Sequence, residues 1–182
     1  MRVCVFCGSS PGDDPAYLAA ARAIGVALAR RAVGVVYGGG HVGCMGALAD
    51  AALEAGGEVV GVIPRRLADR EVAHTGVTDL HVVESMHDRK ALMASLSDAF
   101  VALPGGFGTL EELFEVVTWR QLGYHRKPIA VLNTRGYFDA LLRFCDDAVS
   151  AGFVAAAERD ALLREPNLEP LLERLFAELN RR

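Results

Sequence analysis

Short, almost entirely apolar segments alternate with longer amphipathic or alanine-rich segments along the chain, and no other feature constrains the fold as much. Strands, each a run of apolar residues, are predicted at 3–7, 33–37, 58–63, 80–83, 99–103 and 129–132. Helices are predicted at 17–31, 43–55, 86–96, 110–122, 137–150, 158–163 and 169–179. Strands without polar alternation are typical of a parallel sheet that is covered on both faces. We therefore expect an α/β fold, a Rossmann-like doubly wound parallel sheet with helices on both faces.

Length and composition set the class of protein. With 182 residues, of which 52% are hydrophobic, the chain is expected to form a single domain over 1–182 with a full core. The formal charge of −4 argues against nucleic acid as a partner. No apolar run approaches the roughly 18 residues that span a bilayer, and no targeting segment is evident. We expect a cytoplasmic protein with four reduced cysteines and no membrane partner.

A glycine-rich segment follows the second predicted strand. Gly38, Gly40 and Gly43 form a G-x-G-x-x-G pattern between a strand and a helix, the context that dinucleotide-binding loops require. The acidic residue expected about 20 positions later is missing, and Arg65 and Arg66 stand there instead. The pattern leaves three interpretations open: a phosphate-binding loop, an NADP-type loop with arginines for the 2′-phosphate, or a tight turn without a ligand.

A second glycine-rich segment, Pro104-Gly105-Gly106-Phe107-Gly108-Thr109, lies between the fifth strand and its helix. Glycines and a threonine at a helix start can cradle an anion. The segment lacks the Gly-Lys-Ser/Thr ending of a P-loop, which disfavours magnesium-dependent triphosphate chemistry. Thr109 and Glu112 have the spacing of a capping box. Glu112 is therefore either a helix-capping side chain or a catalytic carboxylate.

A third cluster follows the fourth predicted strand. Ser85 is placed to cap a helix, with Asp88 three residues later. Arg89 heads the apolar stripe of that helix rather than its solvent face. An inward-pointing arginine needs an anionic partner or must reach back to water. Arg89 is thus the best candidate cation for Glu112 or for a ligand phosphate.

These clusters together resemble the LONELY GUY (LOG) family of cytokinin riboside 5′-monophosphate phosphoribohydrolases, often mislabelled as lysine decarboxylases. The similarity runs nearly end to end. The hallmark P-G-G-x-G-T-x-x-E is complete and ends on Glu112, and the M-x-x-R-K segment supplies Arg89. Further matching segments are Cys7-Gly8-Ser9-Ser10, Tyr37-Gly38-Gly39-Gly40, Met45-Gly46, residues 118–123 and Lys127-Pro128. The second loop departs from the family at His41 and Cys44.

The resemblance implies a homodimeric hydrolase that cleaves the N-glycosidic bond of adenine-type nucleoside 5′-monophosphates. N6-prenylated AMP or AMP would yield a free base and ribose 5-phosphate, without a cofactor or metal. The catalytic residues implied are Arg89 and Glu112, and a carboxylate suits the oxocarbenium character that develops on the ribose. The implied substrate-binding residues are Ser9, Gly39, Gly40, Met86, Arg89, Lys90, Gly105, Gly106, Gly108, Thr109 and Glu111. The dimer interface is expected near the active site, and the candidates for it are residues 117–123 and the helix that bears Arg89.

Two other functions compete with this interpretation. A pyridoxal-phosphate decarboxylase needs a Schiff-base lysine, and of the 19 basic residues only Lys90 and Lys127 are lysine, leaving 19 − 2 = 17 arginines. Lys127 precedes a strand, at the wrong end of the sheet, and Lys90 lacks an aldimine context. The other alternative is a non-catalytic nucleotide or cofactor carrier on the same scaffold. The presence of both Arg89 and Glu112 argues against it.

Overall fold

The computed structural model describes residues 1–68 and 72–181 of the chain. Its centre is a seven-stranded, fully parallel sheet with the order β4-β3-β2-β1-β5-β6-β7. The strands are β1 (Arg2–Phe6), β2 (Gly34–Tyr37), β3 (Val59–Pro64), β4 (Asp79–Val83), β5 (Ala99–Ala102), β6 (Ile129–Leu132) and β7 (Leu162–Glu165). The Rossmann-like doubly wound sheet predicted from the sequence is therefore confirmed.

Helices cover both faces of the sheet. They are α1 (Pro15–Arg30), α2 (Gly43–Glu54), α3 (Arg65–Leu67), α4 (Met86–Ser95), α5 (Phe107–Gln121), α6 (Asp139–Ser150), α7 (Ala156–Asp160) and α8 (Leu168–Asn180). One hydrophobic cluster joins α1, α2 and α8 to the sheet, and a second joins α4, α5 and α6 to the opposite face. Successive residues of one strand belong to different clusters, as Val3 and Cys4 of β1 do, because their side chains point to opposite faces of the sheet. The central strands are consequently buried on both sides.

The sequence prediction was wrong about β7. Residues 158–163 were expected to be one helix, but α7 ends at Asp160 and Leu162–Glu165 pairs with β6 as the edge strand of the sheet. An edge strand is half exposed, so its last two residues, Arg164 and Glu165, are charged and hide the apolar pattern by which the other strands are recognised. The sheet therefore has one more strand than predicted.

The order of the strands determines where a ligand can bind. Strands β1 to β4 are added outward on one side of the sheet. The chain then returns to the middle, where β5 pairs with β1 and begins the other side. In open α/β sheets, ligands bind beyond the carboxyl ends of the strands at such a switch point. The segments that leave β1 and β5 begin at Cys7 and Leu103, and they carry two of the glycine-containing motifs. Within the described part of the chain no helix is long and apolar enough to cross a membrane.

Candidate active site

The loops that follow β1 and β5 meet at the switch point and form one wall of a cavity. The amide of Gly8 donates to the carbonyl of Pro104 at 3.3 Å, and the amide of Met45 donates to the carbonyl of Gly8 at 3.3 Å. The cavity has a volume of about 320 Å³. Its walls are formed by Cys7, Gly8, Ser9, Met45, Leu67, Arg89, Gly106, Phe107, Gly108, Thr109 and Glu112. It thus combines residues of all three clusters seen in the sequence.

The amino terminus of α5 points into this site. The helix begins at Phe107 with Gly106 as its N-cap, and no side chain caps it. A side chain at position 105 would overlap the hydroxyl of Thr109 and approach within 2.8 Å of the Gly8 amide, so only glycine fits there. Since the first amides of a helix lack partners within the helix and carry its positive dipole, this end of α5 favours a bound anion.

The capping-box interpretation of Glu112 is wrong. The helix starts three residues earlier than predicted, which places Thr109 within its first turn rather than at its N-cap. The Glu112 carboxylate instead faces α4, where its Oε1 lies 3.0 Å from Nη1 of Arg89. By contrast, Ser85 does cap α4 as predicted, because its hydroxyl oxygen accepts from the Asp88 amide at 3.0 Å. Glu112 is therefore free of a structural role at the helix start.

Arg89 is fixed by the backbone as well as by Glu112. Its Nε donates to the Val62 carbonyl at 3.1 Å and its Nη2 to the Gly38 carbonyl at 3.4 Å. A Cβ at position 38 would overlap the guanidinium group, so the first glycine of the G-x-G-x-x-G segment makes room for Arg89. Only 8% of Arg89 is exposed. A planar cation that donates to two backbone carbonyls and lies beside a carboxylate presents its charge in one orientation.

Glu112 combines burial with an incompletely satisfied carboxylate. The residue is 6% exposed. Although Oε1 is close to Arg89, no N–H is aligned with it, so this atom has a neighbouring charge but no formed hydrogen bond. Burial raises the pKa of Glu112 above its ordinary value, against the opposing effect of Arg89 and with a further rise from Glu111. A carboxylate with raised pKa and a free acceptor atom is suited to take up a proton or to orient a polar ligand.

Lys90 lies beside this pair but has its own partners. Its ammonium group forms ion pairs with Glu111 and with Glu115, the latter at 2.9 Å. The Lys90 side chain is 8% exposed, whereas that of Glu111 is 53% exposed. Burial alone would lower the pKa of Lys90, but the hydrogen bonds with the two glutamates outweigh it and the pKa is raised. Lys90 is thus a charged, enclosed side chain.

The structure brings together only part of the predicted site. Ser9, Arg89, Gly106, Gly108, Thr109 and Glu112 line the same cavity, and Gly105 lines an adjoining one of about 270 Å³ that shares Gly8, Ser9 and Gly106 with it. The remaining predicted residues, Gly39, Gly40, Met86, Lys90 and Glu111, are not among its lining residues. Gly39, with φ of +73°, and Gly40 lie behind the wall, because a Cβ at 40 would crowd Met45. Met86 is 42% exposed, one turn before Arg89 on α4.

Phe107 and Leu67 line the cavity, but sequence reasoning gave neither residue a role. Phe107 is 93% exposed and Leu67 37% exposed, so an apolar rim borders the opening of the site. Phe107 lies inside the P-G-G-F-G-T motif, which was a usable signal. Leu67 follows the carboxyl end of β3 within α3, and only its position after a strand could have indicated it.

A larger cleft of about 710 Å³ lies near the carboxyl ends of β6 and β7. Four of its charged groups are paired with one another, Arg159 with Asp146 at 2.7 Å and Arg174 with Glu165 at 2.5 Å. We assign the active site to the smaller cavity because it lies at the switch point and contains the buried Arg89–Glu112 pair. Among residues 1–68 and 72–181, no cluster of three or more histidine, cysteine or acidic side chains could hold a metal ion.

The fold and the site define a class: a Rossmann-like protein with a helix terminus that no side chain caps and a buried arginine–glutamate pair at the switch point. Comparison with known proteins identifies the family within that class. The chain is 49% identical over 174 residues to the cytokinin riboside 5′-monophosphate phosphoribohydrolase LOG7 of Arabidopsis thaliana, covering 96% of this chain and 80% of the relative. It is 51% identical to the probable cytokinin riboside 5′-monophosphate phosphoribohydrolase LOGL9 of Oryza sativa, covering 96% and 77%. The chain belongs to the LOG family.

Two further comparisons concern the family profile and the fold. Residues 45–175 match the family profile described as "Possible lysine decarboxylase". The fold is shared with the molybdenum cofactor carrier protein of Chlamydomonas reinhardtii, with a TM-score of 0.76, 20% identity, and 100% and 98% of the two chains covered. It is also shared with the molybdenum cofactor binding protein of Rippkaea orientalis, with a TM-score of 0.72, 21% identity, and 97% and 95% covered. At these identities the likeness concerns the fold.

Proposed function

We infer that this protein is an N-glycosidase that hydrolyses adenine-type nucleoside 5′-monophosphates, N6-prenylated AMP or AMP, to the free base and ribose 5-phosphate. The observation that carries this inference is the buried Arg89–Glu112 pair in the cavity beside the amino terminus of α5. The printed activity of the relatives, phosphoribohydrolysis of cytokinin riboside 5′-monophosphates, supports the same reaction. A phosphate cradle and a buried carboxylate are the two features that this reaction requires.

The chemistry follows from the position of Glu112. As the C1′–N bond of the nucleotide breaks, its electron pair leaves with the base and positive charge develops on the ribose. The ionised Glu112 carboxylate stabilises that charge, either orienting and deprotonating the attacking water or attacking C1′ itself before water does. Water supplies the new oxygen at C1′, and the departing base takes up a proton. Arg89 orients Glu112. It donates hydrogen bonds to the substrate rather than a proton, because a guanidinium stays charged and does not act as an ordinary acid.

Substrate contacts are proposed for the residues around this pair. The 5′-phosphate would be bound at the start of α5 by Gly105, Gly106, Gly108 and Thr109, and by Ser9 from the facing loop. Gly39 and Gly40 would support the wall behind Met45. Met86, exposed one turn before Arg89, would contact the base, and Glu111 a ribose hydroxyl. The apolar rim of Phe107 and Leu67 is suited to a substituent on the base.

The phosphate cradle predicts that the protein acts on nucleotides rather than nucleosides. We expect isopentenyladenosine 5′-monophosphate to be hydrolysed at least about 100-fold more efficiently than isopentenyladenosine, since remote binding energy is used to orient the reacting centre. Chromatography of the free base released from each substrate, with AMP and adenosine as the second pair, measures this ratio. Equal rates with and without the phosphate would contradict the assignment of the α5 terminus.

The main competing function is that of a non-catalytic carrier. The solved molybdenum cofactor carrier and binding proteins share the fold of this chain. A carrier needs no buried carboxylate with a free acceptor atom, and Glu112 has one. A lysine decarboxylase is disfavoured more strongly. The Lys90 ammonium is enclosed by two glutamates, and Lys127 lies before β6, at the amino end of the sheet, with Nζ donating to the Ala94 carbonyl at 2.7 Å.

We propose a homodimer whose interface lies close to the active site, on α5 and the segment 117–123. Leu122 is 65% exposed and Tyr124 78% exposed at the end of α5. Leu110, Phe114 and Trp119 border a groove of about 390 Å³ along the same helix. A chain that leaves this much apolar surface uncovered on the helix bearing Glu112 gains stability by burying it against a second copy.

The dimer is tested by Leu122→Glu, which places a charge in the proposed interface. We expect the wild-type protein to have twice the monomer mass by light scattering after size-exclusion chromatography, and the variant to dissociate to monomer. Phe144→Glu is the matched control, because Phe144 is 67% exposed on α6 and lies outside the groove and the segment proposed for the interface. A monomeric wild type would overturn this proposal without affecting the assignment of the catalytic pair.

The remaining expectations are a single domain over residues 1–182 and a location in the cytoplasm. All strands join one sheet in the described part of the chain, which supports a single folding unit. The four cysteines are free thiols, the state that a reducing compartment maintains.

A further inference from the structure

Helices α4 and α5 bring two cations and three carboxylates together at the active site. Arg89 pairs with Glu112, and Lys90, the next residue along the chain, pairs with Glu111 and Glu115. Glu111 and Glu115 are four residues apart and therefore share one face of α5, so a single ammonium group can reach both. Lys90 has no direct contact with Glu112 recorded in the structure, yet it neutralises the two carboxylates that flank it.

Without that neutralisation the environment of Glu112 would be strongly negative. Three glutamates lie within five consecutive residues of α5, and the like charges of Glu111 and Glu115 each disfavour ionisation of Glu112. Burial of Glu112 acts in the same direction. Arg89 alone would then have to offset the rise in the pKa of Glu112 that burial and the two like charges cause. The charge of Lys90 changes this balance, because its side chain is 8% exposed and solvent screens it little.

We propose that Lys90 is a positioning residue for this site: held between Glu111 and Glu115, its ammonium group cancels their charge and keeps the Glu112 carboxylate ionised beside Arg89 near neutral pH. Lys90 acts through its charge, on the two glutamates and directly on Glu112, rather than by touching the substrate. The alternative, a direct contact with the substrate phosphate, would require a buried ammonium group to leave both carboxylates. This role rests on the proposed function in that Glu112 must be the reactive carboxylate.

Among residues 1–68 and 72–181, the other groups that act on Glu112 or lie beside it are one cation and two thiols. From α4 the cation is Arg89, at 3.0 Å. From β1 and the loop after it come the thiols of Cys4 and Cys7, and burial holds the pKa of each well above its ordinary value, so both are neutral. Within the described part of the chain, the charges that remain to be balanced are therefore those of the two flanking glutamates, and Lys90 forms an ion pair with each of them.

The test is the pH dependence of base release, measured as kcat and KM between pH 5 and pH 9 with isopentenyladenosine 5′-monophosphate as the probe. In Lys90→Met the flanking glutamates lose their counterion, so the pKa of Glu112 rises and the acid limb of the kcat/KM profile moves up by about 0.5–1 pH unit. Below the limb the variant is slower than the wild type. Above it the two rates converge. Lys90→Arg, which keeps the charge, restores the original limb.

Glu115→Gln is expected to shift the acid limb of the kcat/KM profile in the opposite direction. This variant removes one flanking negative charge from a residue outside the proposed catalytic and substrate contacts, and it leaves Lys90 paired with Glu111. We expect its acid limb to move down. The double variant Lys90→Met/Glu115→Gln is expected to lie between the two single variants, since one lost positive charge offsets one lost negative charge.

Three outcomes decide the proposal. Opposite shifts of the limb in the two single variants support it. Equal loss of rate at every pH in Lys90→Met, with the limb fixed, assigns Lys90 a structural role only and overturns it. A raised KM with an unmoved limb assigns Lys90 to the substrate and also overturns it. If Lys90→Met does not fold, the shift in Glu115→Gln decides alone, and an unmoved limb there rejects the proposal.

The titration can also be followed without turnover. In protein with ¹³C-labelled glutamate carboxyl groups, NMR reports the titration of each carboxyl, and Glu112→Gln identifies the Glu112 signal by its loss. If the wild type releases no base but the Glu112 signal still shifts in opposite directions in Lys90→Met and Glu115→Gln, the proposed function fails and the role of Lys90 stands. If base is released and the signal does not shift, the role of Lys90 fails alone.

Discussion

Replacing Glu112 by glutamine is expected to reduce base release by about 10³-fold or more while leaving the fold intact. The amide keeps the shape of the side chain and an oxygen acceptor facing Arg89, but it loses the negative charge that stabilises the ribose cation. Arg89 keeps its hydrogen bonds to the carbonyls of Val62 and Gly38, so we expect the variant to fold, with a lower melting temperature because the buried guanidinium loses its counterion. Single-turnover release of the free base measures the loss, and circular dichroism with thermal melting checks the fold.

Glu173→Gln is the matched control for this variant. Glu173 is exposed on α8, outside the walls of the active-site cavity, so the same chemical change there should leave the rate unchanged. Nearly full activity in Glu112→Gln, with an unchanged melting curve, would contradict the mechanism.

In the wild type, activity should fall as the pH drops through the raised pKa of Glu112, because the carboxylate must be ionised.

Replacing Arg89 by methionine is expected to reduce both activity and stability. The variant removes the cation that opposes the effect of burial, so the pKa of Glu112 rises further and a smaller fraction of the carboxyl groups is ionised at any given pH. We expect base release to fall about 10²- to 10³-fold. Breaking a buried pair by removing one partner costs about 3 kcal/mol of unfolding free energy, measured by urea denaturation. Arg22→Met, at an exposed site on α1, is the control.

A double variant separates the electrostatic cost from simple loss of packing. In Arg89→Met/Glu112→Gln no buried charge is left without a partner, so the double variant should be more stable than Arg89→Met alone. Arg89→Lys keeps a charge but cannot donate to the carbonyls of both Val62 and Gly38 in the same fork geometry. It should therefore retain stability better than activity. Additive losses in the double variant would show that the ion pair is not the relevant interaction.

Most of the fold could be predicted from the sequence because the central strands are buried on both faces. Such strands consist of apolar residues, as in the segment 99–102, and glycine or proline follows them closely. The edge strand β7 was not recognisable, because its Arg164 and Glu165 reflect an exposed position that only the assembled sheet creates. The start of α5 was placed too late for a related reason. Gly106 and Gly108 disfavour helix locally, and tertiary contacts decide in favour of it.

The site was predictable where a local pattern marks it. Arg89 at the head of an apolar stripe indicated an inward arginine, and the structure places it on Glu112. Lys90 carried no such signal, since its enclosure depends on Glu111 and Glu115, more than twenty residues away in sequence. The cavity wall at Leu67 was hidden for the same reason: it depends on how the end of β3 sits beside α5, and no local motif records that contact.

The most direct test of the account is the fate of isopentenyladenosine 5′-monophosphate incubated with the purified wild-type protein. Chromatography and a phosphate-ester assay together quantify the free base and ribose 5-phosphate. We predict many turnovers per protein molecule, with base and ribose 5-phosphate formed in a 1:1 ratio. AMP is expected to give adenine and ribose 5-phosphate at a different rate. Recovery of both nucleotides intact, with binding detected by calorimetry, would contradict hydrolysis and identify the protein as a carrier.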